Sequence, residues 1–282
     1  MTQNMKDFRE IYPSEFVKFR GELDRAIFTS YGMGEIRVQE SKHRFCAILF
    51  LKLVNVAQSV IGQCPDPNQK EPIRSFMNFS SIAALARVLA DTYVVLFHLG
   101  IEDCSDDEYQ LRLYLTYWKD IHRRSKMGVG TPDEIAEYRS DLTARLEGNT
   151  LWASMDARTK RDLLKRAMLL HGPWEILERA DFDVDECKEI YAFWSAHTHC
   201  DPVAFMRTGE EGFGVGYPSD IDLMYAAQCL EFTRVILEQA RLAVDKIFLG
   251  AEARAGSVEG FNPSQVDQPP RPWAGKSLAE LA

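Results

Sequence analysis

The chain has 282 residues, 46% hydrophobic and 27% charged, with a net charge of −9. That allows one large body or two smaller ones with a real core, and the negative balance disfavours wholesale binding to a nucleic-acid backbone. Six cysteines, at 46, 64, 104, 187, 200 and 229, form no CxxC pair and read as reduced packing thiols rather than a disulfide framework.

The opening MTQNMKDFREIYPSEF is polar and mixed in charge, unlike a signal peptide, so a cytoplasmic protein is expected. Helical spacing runs nearly throughout and strand-like alternation is scarce. The expected fold is therefore all-α, a bundle of about eight helices. Ser14 can cap a first helix whose apolar side carries Phe16, Phe19, Leu23, Ile27 and Phe28. A second runs from Glu40 to Ile61 and stops at Gly62 and Pro65. Its stretch FCAILFLKLVNVAQSVIG is interrupted by Lys52, Asn55 and Gln58, so no membrane span is expected. A third runs from Phe76 to Leu99 with Gly100 as its C-cap.

The next helix covers Asp106 to Lys126, and the acidic run EDCSDDE before it reads as an exposed turn. Thr131-Pro132-Asp133-Glu134 is a strong start for a helix reaching Glu147. Another spans Asp156 to Leu170 and halts at Gly172-Pro173. One follows Asp183 and must finish before Pro202, and a last runs from Ser219 to Leu249. Residues 1–250 form the expected helical domain. Residues 251–282, rich in small residues and proline, read as an extended or draped tail, with Trp273 of RPW as a loose anchor on the chain's own surface. GFGVGYPS, 212–219, lacks a lysine and a preceding strand, so a turn is favoured over a phosphate loop.

FWSAHTHCDP, from Phe193, poses a metal question. On a helix, residues two apart diverge by about 200°. Ile190, Phe193, Trp194 and His197 share an apolar face, while Ser195 and His199 lie on the other. His197 and His199 therefore cannot clasp one ion while the helix lasts, and no metal or other cofactor is expected. His197 reads as a core histidine. His199, in the last turn, suits the negative end of the helix dipole. Cys200 beside His199 is a weak dyad, because adjacent side chains diverge.

SSIAALARVLADTYVVLFHLG is apolar nearly all round yet carries Arg87, Asp91 and His98, which marks a buried helix with a polar stripe. From Arg87, Asp91 lies about 40° round the helix, and His98 and Ser80 about 20°. Buried charges must be paired, and Arg87 and Asp91, four apart, can pair directly. Such a pair could simply fix helix register. It could instead line a cleft where the arginine receives an anionic or polar ligand. If His98 shared a hydrogen bond with Asp91, its proton affinity would rise.

These motifs resemble a group of bacterial all-helical proteins of unknown function. The likeness rests on Arg87 with a carboxylate at Asp91, and on Tyr191-x-x-x-Ser195-x-x-x-His199 before a proline turn, within residues 40–245. Asp91 departs from the glutamate of that pattern. The resemblance implies that the two helices face each other, placing Arg87, Asp91, Tyr191, Ser195 and His199 around one pocket, with no known reaction.

A second constellation competes. RAMLLH, 166–171, has the Arg-to-His spacing of helical ribonucleases of the HEPN type, as does RVQESKH, 37–43. In that reading Arg166 neutralises the phosphate and His171 acts as base or acid, without metal, in a homodimer. With 21 arginines and six histidines in the chain, the pattern is cheap. The basic runs KDIHRRSK and RTKRDLLKR read as solvated helix faces. The leading expectation is a module with a small polar pocket for ligand sensing or interaction, with a small polar or anionic ligand as partner. Whether it is an enzyme stays open.

Overall fold

A computed structural model describes residues 8–33, 41–68, 77, 79–166, 169–199, 201–202 and 219–248. The protein is all-α: ten α-helices and one π-helical turn, with no strand among the described residues. The tail from 251, with RPW, and most of the glycine-rich 212–219 run lie outside the described residues. In chain order the helices are α1 (Phe8–Met33), α2 (Ser41–Gly62), α3 (Phe79–Leu96), α4 (Asp106–Met127), α5 (Pro132–Glu147), α6 (Thr150–Ser154), α7 (Ala157–Arg166), α8 (Pro173–Arg179), α9 (Val184–Thr198) and α10 (Asp220–Ile247). The π-helical turn, Phe97–Ile101, continues α3.

Several ends are set by local hydrogen bonding. Ser105 caps α4, and Gly128, at φ 69°, closes it in the left-handed conformation glycine favours. Thr131 and Glu134 close a capping box on α5 around Pro132. Asp183 accepts from the amides of Asp185 and Glu186 at the head of α9. Ser219 and Asp222 form a second capping box on α10.

Three expected boundaries are corrected. α1 begins at Phe8 and passes through Pro13, so Ser14 lies inside it and is exposed. The buried side chain of Tyr12 holds this first stretch, its hydroxyl donating to the Pro65 carbonyl at 2.7 Å. Gly100 is not a C-cap but part of the π turn. A Cβ there would sit 2.8 Å from Cys46 Cα and 2.9 Å from Cys46 Cβ, so glycine is needed for close approach to α2. The short helices α6 and α8 fall where no element was expected, before and after α7 in the chain.

The chain divides into two compact units. One holds the described residues up to Ile101 together with those from Trp174. In it α10 lies along α1, and α3 packs against α2, α9 and α10. α2 and the run Phe79–Ile101 are long and apolar enough to cross a membrane by length and composition. Inside this unit 61% of the apolar window of Phe79–Ile101 is buried, as suits a core helix. α2 turns Cys46, Phe50, Leu53, Val54, Ala57 and Val60 inward.

The other unit is built from α4 to α7. Its core is Leu111, Leu115, Leu146 and Trp152. Arg112 is fully buried beside it and pairs with Glu102 at 2.7 Å and Glu108 at 2.5 Å. The acidic run before α4 therefore does more than form an exposed turn: two of its glutamates neutralise a buried guanidinium. Burial works against the Glu108 carboxylate, but hydrogen bonds from Arg112 and His171 outweigh it and hold the group below the usual range.

Candidate functional site

The site lies in the first unit, where α9 crosses α3. Asp183 sets the start of α9, and the helical repeat then turns Cys187, Trp194 and His197 into the core. Tyr191, Ser195 and His199 follow one another at intervals of four along another face. α3 presents Arg87 and Asp91 one turn apart.

Arg87 Nε donates to the Tyr191 hydroxyl at 3.0 Å. That hydroxyl donates to Asp91 Oδ1 at 3.1 Å. The guanidinium also lies over the Tyr191 ring, 4.8 Å from its centroid, a cation–π arrangement. Arg87 Nη1 is 3.0 Å from His199 Nε2. A guanidinium only donates, so Nε2 is the acceptor in this contact. Burial raises the proton affinity of the Tyr191 phenol, the Arg87 hydrogen bond opposes that, and Asp91 adds to it; the net shift is upward. The phenol thus stays protonated and serves as a relay between Arg87 and Asp91.

The expected direct pair between Arg87 and Asp91 does not form. No carboxylate among the described residues lies within ion-pair distance of Arg87. Tyr191 stands between the two charges instead. Ser195 is half-buried on the same helix as Tyr191 and His199, and its carbonyl accepts the His199 amide at 3.0 Å. His98 does not belong to the cluster. It is 1% exposed, in the π turn, whereas Asp91 is exposed. Seven residues separate them, about 10 Å of helix rise.

Trp174, on α8, is the residue the sequence reading missed. Its ring meets Tyr191 edge-on with centroids 5.4 Å apart, steadying the face on which Arg87 rests. The only sequence signal was an aromatic directly after Gly172-Pro173.

α9 remains helical to Thr198, which keeps the two histidines of HTH on different faces. His197 is buried, its ring 4.7 Å from that of Phe79 and 4.8 Å from that of Phe193. His199 is exposed and turned to Arg87. Cys200 lies outside the described residues.

The ribonuclease constellation is placed differently. His171 Nε2 is 3.2 Å from Glu108 Oε1, joining it to the buried Arg112 pair. The side chain of Arg166 and the residues of RVQE before Ser41 lie outside the described residues.

Family models, curated proteins and solved structures were all compared with the chain, and none matches. The site therefore stands on its own geometry.

His199 offers a first test of that geometry. It is exposed and its side chain bonds only to Arg87 among the described residues. His199→Ala should change stability by no more than about 0.5 kcal/mol, as for an ordinary surface change. Urea unfolding reads this directly. A loss above about 1.5 kcal/mol would make the imidazole a structural member of the bundle.

Proposed function

We propose that the chain is a ligand-binding helical module, sensing or interacting through a small polar pocket at Arg87, and that its ligand is a small monocarboxylate. One observation carries the reading. Arg87 is a half-buried cation whose two protein partners, the Tyr191 hydroxyl and the His199 ring, leave it without a direct ion-pair partner among the described residues. Its other N–H groups have no protein acceptor among the described residues. A guanidinium held over a tyrosine ring, with spare donors in one plane, suits a planar carboxylate.

Asp91 sets the charge of the ligand. A second negative charge beside this carboxylate would be repelled, which favours a monoanion over a phosphate monoester. Tyr191 and Trp174 give the ligand's apolar part an aromatic wall. Ser195 and His199 offer further polar contacts. No observation favours the ribonuclease reading: His171 is engaged by Glu108, which is itself paired with the buried Arg112. A cytoplasmic setting is part of the proposal, supported by the five free cysteines among the described residues.

The test is calorimetric titration with acetate, propionate and benzoate, on the parent chain and on Arg87→Gln. One of these should bind saturably to the parent, and Arg87→Gln should weaken it at least tenfold, the loss of one charge-assisted contact. No saturable binding to the parent, or equal binding to Arg87→Gln, would overturn the reading.

A further inference from the structure

The opposite side of α9 carries a separate feature. Between α9 and α10, and reaching back to Phe182, lies a groove of about 590 Å³, within the range of small-molecule sites. Five of its lining residues are aromatic: Phe182, Phe193, Trp194, Tyr225 and Phe232. The rings pack in two sets along the groove, Phe193 on Tyr225 at 4.7 Å and Trp194 edge-on to Phe232 at 5.4 Å. Trp194 is anchored from behind, its indole N–H donating to Cys229 Sγ at 3.0 Å.

The charge of the lining is entirely negative. Glu186, Glu189 and Glu231 belong to it, and it contains no lysine, arginine or histidine among the described residues. Elsewhere in the chain carboxylates commonly have a cation beside them, as Glu175 has Arg179 and Asp141 has Arg145. None of these three glutamates has an ion-pair partner among the described residues. Aromatic faces present the negative side of their quadrupole, so rings and carboxylates favour the same sign of guest.

We infer that this groove binds a small organic cation, an ammonium group carrying an apolar or aryl substituent. The substituent lies against the ring wall. The ammonium sits over one of the half-buried rings, near Glu189 and Glu231, in the manner of aromatic cages for quaternary ammonium. The inference is independent of the Arg87 site, which lies on another face of α9 and selects the opposite charge.

Isothermal titration of the full chain with benzyltrimethylammonium chloride, at matched ionic strength, tests it. Benzyl alcohol serves as the neutral aryl probe. The double variant Glu189→Gln/Glu231→Gln alters two exposed side chains and should fold as the parent, which a thermal melt checks. The ammonium probe should bind saturably to the parent, at least tenfold tighter than benzyl alcohol. It should weaken at least tenfold in the double variant. Three results would overturn the inference: no saturable binding to the parent, equal affinity for the neutral probe, or unchanged affinity in a folded double variant. The first covers the case in which another segment of the chain fills the groove.

Discussion

Glu22→Ala should destabilise the first unit by about 3 to 5 kcal/mol, the range for removing one partner of a buried ion pair. Glu22 and Arg241 are 5% and 2% exposed, and Arg241 Nε donates to Glu22 Oε1 at 2.5 Å. The pair joins α1 to α10, the helices that run alongside each other near the two ends of the described chain. Without Glu22 a guanidinium stays where water cannot reach it. Arg25, the other cation on Glu22, is half exposed and can turn to solvent at little cost. The double variant Glu22→Leu/Arg241→Met should recover most of the loss, because removing both charges also removes the desolvation cost. Urea unfolding of the two variants against the parent checks this. A loss below about 1 kcal/mol for Glu22→Ala would refute the pair as a strong link between α1 and α10.

Gly100→Ala should cost about 2 to 3 kcal/mol, near the upper end of what overpacking a well-filled core does. The added methyl would lie 2.8 Å from Cys46 Cα and 3.1 Å from Cys46 N. Those are backbone atoms of α2, and a backbone cannot step aside as a flexible side chain can. The π turn and α2 must separate, which opens gaps around Leu99 and Phe50, both buried. Gly21→Ala is the matched control. Gly21 is in the exposed interior of α1, and nothing lies within 4 Å of the position its Cβ would take. There the same substitution should stabilise by about 0.5 to 1 kcal/mol through helix propensity. Opposite signs for the two variants in one set of melts would assign the Gly100 effect to the contact with Cys46. Equal signs would refute it.

Much of the fold was legible because helices announce themselves locally. Thr131 with Glu134, and Ser219 with Asp222, are hydrogen-bonding partners three residues apart. Asp183 reaches amides two and three residues on. Such signals need no knowledge of the rest of the chain. The start of α1 was misread because local chemistry favoured Ser14 as a cap, while a contact 53 residues away, from Tyr12 to Pro65, carries the helix past Pro13. The short α6 and α8 were missed because five and seven residues are too few to show a period.

By itself, the sequence determined the all-α class, the capped start of α5 at Thr131 and the line of Tyr191, Ser195 and His199 along one helix, since each depends on residues within a turn or two. Only the tertiary structure decided that Tyr191, 104 residues from Arg87, stands between that arginine and Asp91. It alone placed Trp174 beside the phenol, Arg112 among glutamates and an aromatic groove behind the site. The physical reason is one of distance along the chain. A helical repeat says which side chains share a face, but which other face they meet depends on packing between helices far apart in sequence.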